Sequence, residues 1–320
     1  MSSSGSDSGV SVIAPRYTTG TSNVAADKSP KVVALGGGHG LALTLQAVRR
    51  YAGSITAVVS VADDGGSSGR LRRDLGVAAP GDLRKCLVAL ASGDGPWPAA
   101  LEHRFTSGEL SGHPLGNLML VGLAESLGNL TGALDEIGRL LGAVGRVIPA
   151  TIDPVSVMAD IGGRAVIGQV AVESMARSAT VRRVELVPAN PPASPDALGA
   201  IASADQIVLA PGSLYTSVLA VLCVPEIRAA IAGAPGRVVN VCNLQTDAET
   251  VGLDGTDHLR IILDHGVRVD ALLHDPAAGL PVSETAVREL GVTPQAASIA
   301  AGNGHGHDPA RLAAALAALL

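Results

Sequence analysis

From residue 31 onward the chain alternates short apolar runs with polar, glycine-rich breaks. Val32-Val33-Ala34-Leu35 is a β-branched run that stops at Gly36-Gly37-Gly38-His39-Gly40. Leu41–Arg50 follows with good helix formers and closes on two arginines, which suit the negative end of a helix dipole. Ile55–Val61 is another apolar run, ending in Ala62-Asp63-Asp64-Gly65-Gly66. Strand, glycine loop, helix and strand make a βαβ unit, which predicts parallel strands joined by right-handed crossovers. Gln206–Ala210 and Arg237–Cys242 predict two further central strands, each running into polar and Gly-rich residues. The expected fold class is α/β, a Rossmann-like doubly wound and mainly parallel sheet.

Arg164–Val172 and Val181–Val187 show the alternation of half-buried strands and read as a hairpin. Asn190–Pro195 is a turn-rich break before a helix at about 196–203, and 309–320 is helical by propensity. Residues 1–30 are rich in Ser, Gly and Thr without an apolar period and read as a disordered tail, leaving 31–320 as a single α/β domain.

Composition narrows the function. Hydrophobic residues make up 47% of 320, ample for a core, but aromatics only 2%, so Ala, Val, Leu and Ile must fill it. So few rings exclude a base-stacking platform, and 23 Lys+Arg against 29 Asp+Glu, a net charge of −6, disfavour a grip on phosphate backbones; no nucleic-acid partner is expected. No run approaches the ~18–20 apolar residues of a spanning helix, and Met1–Asp7 lacks a signal-peptide pattern, so no membrane insertion is expected. Cys86, Cys223 and Cys242 stand far apart in apolar runs and read as buried, reduced thiols of a cytoplasmic protein.

In open α/β sheets ligands bind beyond the carboxyl ends of strands. Four such ends carry polar residues here: 36–40, 62–70, 211–217 and 243–250. Gly36, Gly37, Gly38 and Gly40 would let backbone approach a ligand, with the next helix aiming free amides at a phosphate. No Gly-Lys-Ser/Thr follows and no clean GxGxxG forms. Asp63 and Asp64 could hold a ribose, ligate Mg2+ beside phosphate, or cap the turn through Gly65, Gly66, Ser67 and Ser68. Arg70, Arg72 and Arg73, then Asp82, Arg84 and Lys85, form a local basic cluster that suits an anion or a solvated helix face. Asn117, after His113, could reach a ligand or cap a helix. Gly212, Ser213, Tyr215, Thr216 and Ser217 offer amides and hydroxyls for a second phosphate cradle, and Asn243, Thr246 and Glu249 complete the fourth strand end, with Asp257-His258 soon after. His305 and His307 sit among glycines and read as a mobile or surface loop. No HExxH, GxSxG or Cys-His signature occurs.

Lys31–Gly40, Ile55–Arg70, Pro80–Arg84, Gly112–Asn117, Ala210–Ser217 and Val241–Thr246, in that order and spacing, resemble the YvcK-type gluconeogenesis factors. These share a superfamily with CofD, the 2-phospho-L-lactate transferase. The similarity runs from about residue 31 to the C-terminus, and the Ala-rich, Phe-poor composition fits an actinobacterial source. The resemblance implies a CofD-like fold in a cytoplasmic, homo-oligomeric protein linked to cell shape and cell-wall synthesis during gluconeogenic growth. It implies a UDP-sugar ligand of the UDP-N-acetylglucosamine kind and, for some members, a Ser/Thr protein kinase as partner. In the transferase branch, the position of Asp63-Asp64 lies at the Mg2+ and acceptor site. Two departures stand out: His39 replaces a common Thr, and Leu253 lies where relatives often carry an aromatic residue near the Asp-His pair.

Two functions follow. One is a non-catalytic nucleotide-sugar-binding regulator. The other is a CofD-like transferase that moves a phospho-acyl group from a nucleotide-activated donor, using Asp63, Asp64 and Mg2+. The Pro-Gly-Ser-Leu-Tyr-Thr-Ser segment at 211–217 resembles the regulator side. A nicotinamide oxidoreductase has only fold-level analogy in its favour.

Overall fold

The computed structural model describes residues 29–93, 95–302 and 306–320; the expected tail lies outside them except for Ser29 and Pro30. β1 (Lys31–Gly36), α1 (Gly38–Val48) and β2 (Ser54–Val59) form the βαβ unit that the pattern predicts. α2 (Gly66–Leu75), α3 (Gly81–Leu90), α4 (Trp97–Glu102), α5 (Leu115–Leu127) and α6 (Leu130–Leu140) lead to β3 (Arg146–Pro149). A smaller unit follows, made of β4 (Ser156–Ile161), β5 (Arg164–Ile167), α7 (Gln169–Ala176) and β6 (Val181–Val187). α8 (Pro195–Ala202) returns the chain to β7 (Gln206–Leu209), and a π-helical turn at Leu214–Val218 runs into α9 (Leu219–Leu222) and α10 (Pro225–Gly233). β8 (Arg237–Val241), α11 (Gly255–Asp264), β9 (Ala271–His274), α12 (Glu284–Glu289), β10 (Thr293–Ala296) and α13 (Pro309–Ala317) complete it.

The main sheet is parallel throughout, in the order β10-β9-β8-β7-β1-β2-β3. Helices cover both faces of its centre, which is why β1 and β7 read as unbroken apolar runs instead of alternating ones. Strand order reverses between β1 and β7: the chain leaves β1 toward β2 and β3, then re-enters on the other flank as β7. A crevice opens at such a switch point because the two outgoing loops turn to opposite faces. Beneath it, buried Gln206 receives the Tyr51 hydroxyl at 2.6 Å and donates to Leu316 O at 2.9 Å, tying α13 and the turn after α1 to β7.

One contiguous apolar cluster, almost wholly Ala, Val, Leu and Ile, underlies both sheets. Cys86, Cys223 and Cys242 are buried and free within it, and burial pushes the latter two thiols up to about 11 and about 12. No single helix among the described residues is long and apolar enough to cross a membrane.

The expected hairpin is corrected. β5 stops at Ile167, because Gly168 takes φ +101, and residues 169–176 are helical, with Val172 and Ala176 buried one turn apart. β4 lies between β5 and β6 and pairs antiparallel with both, so those two never meet. His307 is also corrected. It is buried, and its Nε2 meets Cys242 O at 3.1 Å, whereas His305 lies outside the described residues.

Candidate functional site

The loops leaving β1 and β7 touch at the switch point. A Cβ on Gly40 would lie 1.8 Å from Pro211 O, so only glycine allows that approach. Gly38 has φ +63, and its amide donates to Asp82 Oδ2 at 2.7 Å. On the other loop, Gly212 exchanges two hydrogen bonds with the Asn243 side chain, both 2.9 Å, which fastens the end of β8 to the β7 loop. These loops wall a cleft of about 310 Å3, lined by Gly37, Gly38, His39, Gly40, Asp63, Asp82, Lys85, Gln169, Gly212, Ser213 and Ser217. A second lobe of about 370 Å3 shares His39, Gly40, Gly212 and Ser213 and adds Asn243, Gln245, Asp247 and His307. The N-terminus of α1 opens on the first lobe, so its dipole favours an anion there.

The two acids of the Asp-Asp pair part company. Asp63 lines the cleft; its carboxylate receives Gly65 N at 2.9 Å and is supported by Ser68. Burial raises its pKa, and the nearby charge of Asp82 raises it further. Lys85 also lines this lobe, with its Nζ 3.0 Å from Asp82 Oδ1. Asp64 instead receives Val170 N at 3.0 Å at the start of α7, and a Cβ on Gly168 would lie 2.4 Å from its Oδ2. Asp64 therefore fastens the small unit to the main sheet, and the carboxylate at the cleft is Asp63.

The arginines serve the scaffold. Arg70 donates to Ser111 O at 2.7 Å. Arg72 donates to Ala62 O, Asp63 O, Val155 O and Ser156 Oγ, binding the end of β2 to the start of β4. Buried Arg84 pairs with Glu102 and donates to Asn117 Oδ1 at 2.9 Å. Arg84 can only donate, which fixes the amide: Asn117 Nδ2 donates to Ser67 Oγ at 3.1 Å, and the Ser67 hydroxyl reaches His113 Nδ1 at 2.8 Å. Burial and the positive charge of Arg70 lower the His113 pKa. Asn117 thus neither caps α5 nor lines the cleft; with Ser67 and Ser68 it holds the start of α2 in place from behind.

The second cradle is already filled from within. Glu249, 4% exposed, receives Tyr215 N at 3.0 Å, Thr216 N at 3.4 Å and the Thr216 hydroxyl. Gly212, Ser213 and Ser217 remain at the cleft wall, whereas Tyr215 and Thr216 are buried behind it and Thr246 is exposed. Gly36 lies under the loop, against Ala210.

Gln169 and Asp247 are among the cleft residues that escaped the sequence. Gln169 was hidden by the strand assigned through it; Gly168 followed by the Val172–Ala176 spacing was the available signal. Asp247 gave no signal, and its orphan Oδ2 beside the second lobe appears only in three dimensions.

The CofD profile, described as 2-phospho-L-lactate transferase CofD, matches residues 32–290. A Mycobacterium leprae protein is 48% identical over 250 residues, 74% of this chain and 69% of its own. Relatives named gluconeogenesis factor occur in Halalkalibacterium halodurans, 40% identical over 264 residues (81% of this chain, 80% of that one), and in Bacillus subtilis, 37% over 241 (74% and 75%). The crystal structure of a UPF0052-family protein from Bacillus halodurans superposes with a TM-score of 0.86 at 35% identity, covering 90% of this chain and 99% of that one. With the profile spanning most of the chain and relatives this similar, the protein belongs to the CofD family, on its YvcK-type gluconeogenesis-factor side.

Proposed function

We propose that the cleft binds a nucleotide sugar of the UDP-N-acetylglucosamine type and that the protein is a cytoplasmic, non-catalytic regulator of cell shape and wall synthesis during gluconeogenic growth. The observation that carries this reading is the meeting of two glycine-built loops at the β1/β7 switch point, beneath the N-terminus of α1. A diphosphate there would lie against Gly37–Gly40 and Ser213, with Lys85 as counter-charge. The second lobe, with Asn243 and the orphan oxygen of Asp247, suits the hydroxyls and N–H groups of a sugar or base.

Mg2+ fits this reading. Half-buried Asp63 is costly to ionise, first through burial and then through the charge of neighbouring Asp82, a cost that a divalent cation would relieve. Among the described residues no group of three or more His, Cys, Asp or Glu is arranged to hold a metal, so phosphate oxygens would have to complete the shell. The ion would supply charge neutralisation to the diphosphate. The same carboxylate pair favours the second reading, a CofD-like transferase acting on a nucleotide-activated donor. Incubating the protein with UDP-N-acetylglucosamine and Mg2+, then recovering the nucleotide sugar, separates the two: intact sugar after saturable binding supports the regulator, and consumption supports the transferase.

A further inference from the structure

A cavity of about 620 Å3 lies between β6 on one side and α10 and the end of α11 on the other. It shares no lining residue with either lobe of the cleft. Its floor is closed: Val184 and Leu186 are 2% and 3% exposed, and the Cys223 thiol donates to Val184 O at 3.3 Å, so no further strand can add there. What the groove offers a small molecule is its rim. The register of β4 and β6 slips between Asp160 and Ile161, pairing Asp160 with Arg183 and Ile161 with Val181. Arg182 is the extra residue of that bulge. The bulge brings two successive arginines to one groove, where a regular strand would send them to opposite faces. Arg182 has no hydrogen-bond or ion-pair partner among the described residues. Arg228 lines the far side. Its Nη1 donates to Leu222 O at 2.8 Å, which fixes the guanidinium and leaves the other N–H donors without an acceptor among the described residues.

We propose that this groove is a second binding site, independent of the cleft, for a small phosphate ester that carries free hydroxyls, a sugar phosphate. Three guanidiniums stand there against two carboxylates, Glu185 and Asp264, on a chain whose net charge is −6. The planar donor pairs of arginine match the oxygens of a phosphate. Arg183 is held only by Glu185 along the strand, and the two side chains are 74% and 40% exposed. Such an exposed pair contributes little, so Arg183 can turn to a phosphate at small cost. The hydroxyls have acceptors on the far wall. Asp264 has no hydrogen-bond or ion-pair partner among the described residues. His265 donates its Nδ1–H to Ile261 O at 2.7 Å, which leaves Nε2 of the neutral ring an acceptor that no protein group meets. No Phe, Tyr or Trp is among the described residues that line the groove, so nothing stacks a base, and the ligand is a sugar phosphate and not a nucleotide.

Calorimetric titration of the full chain with glucose 6-phosphate, with glucose and inorganic phosphate as comparators, tests this. Glucose 6-phosphate binds saturably. Arg182→Ala and Arg228→Gln each raise its dissociation constant about tenfold or more, the loss of one charge-assisted contact. Glu185→Gln frees Arg183 and removes a negative charge, so it lowers the constant by about threefold. Gly38→Val, in the cleft, leaves the constant unchanged, which separates this site from the one for the nucleotide sugar. Arg182 is exposed and unpartnered among the described residues, so its loss leaves the fold intact, and thermal unfolding of each variant without ligand checks that. Four results overturn the proposal: no saturable binding up to millimolar glucose 6-phosphate, a constant indifferent to Arg182→Ala, inorganic phosphate bound as tightly as the ester, or binding lost in Gly38→Val.

Discussion

Asp82 Oδ2 accepts the amide of Gly38 at 2.7 Å, at the mouth of the cleft where an anion would seek that same amide. The chain's own carboxylate thus competes with a phosphate unless a cation bridges the two. Asp82→Asn keeps an acceptor for Gly38 but removes the charge. Affinity for UDP-N-acetylglucosamine in EDTA is expected to rise by up to about tenfold, the equivalent of one modest charge contact, while the gain from added Mg2+ disappears. Calorimetric titrations with and without EDTA check this; unchanged curves in the variant would remove the ion from the cleft.

The glycines of the first loop have different reasons for being there. Gly40→Ala forces its Cβ against Pro211 O and must prise the loops apart, so it is expected to cost about 2–3 kcal/mol of stability. Gly38 has open space around its Cβ position but φ +63, so Gly38→Ala costs only about 1–2 kcal/mol. A bulky Gly38→Val leaves the protein folded and abolishes nucleotide-sugar binding. Urea unfolding of each variant, with ligand titration of the folded ones, separates the roles.

Glu249 gives the protein a pH signature. Burial lifts its pKa to about 7 from the ordinary 4.5, against the pull of Thr216 and Tyr215. A raised acid favours folding below its unfolded pKa, and that contribution is lost as pH climbs from about 4.5 through 7. The difference is worth about 3 kcal/mol. His258 and His307, lowered by burial, act in the opposite sense, losing their contribution as pH falls. The comparison therefore has to be with Glu249→Gln, which accepts the same amides without titrating. Between pH 5 and 8 the wild type should lose up to about 3 kcal/mol relative to that variant in urea unfolding. A difference that stays flat with pH would show that Glu249 remains ionised.

Arg72 is a mechanical link. Its fork spans Ala62 and Asp63 on one side and Val155 and Ser156 on the other, which no ammonium can match. Arg72→Lys is expected to destabilise by about 2–3 kcal/mol by leaving carbonyls unpaired. It should also raise amide exchange in β4 and β6 more than in β7 or β8, which hydrogen-exchange mass spectrometry reads.

The doubly wound sheet was legible because β1, β2, β7 and β8 are buried on both faces, and continuous apolar runs followed by glycine mark such strands without ambiguity. The small unit was not. In Arg164–Val172 a strand and the first turn of a helix are joined by one glycine, and period two and period 3.6 cannot be told apart over so few residues. The site was legible as a set of strand ends but not as a set of side chains. Nothing local says that Asp63 faces the cleft while Asp64 holds Val170, or that Arg70, Arg72 and Arg84 spend their donors on the scaffold. Those bonds reach partners between 33 and 106 residues away in the chain.

The most direct test is isothermal titration of the purified full chain with UDP-N-acetylglucosamine in Mg2+ buffer, with GDP and NAD as comparators. Saturable binding of the UDP-sugar alone, lost in Gly38→Val and followed by recovery of unchanged sugar, is the expected result. Binding of GDP in its place, or turnover of the sugar, would contradict the regulator and put the transferase first.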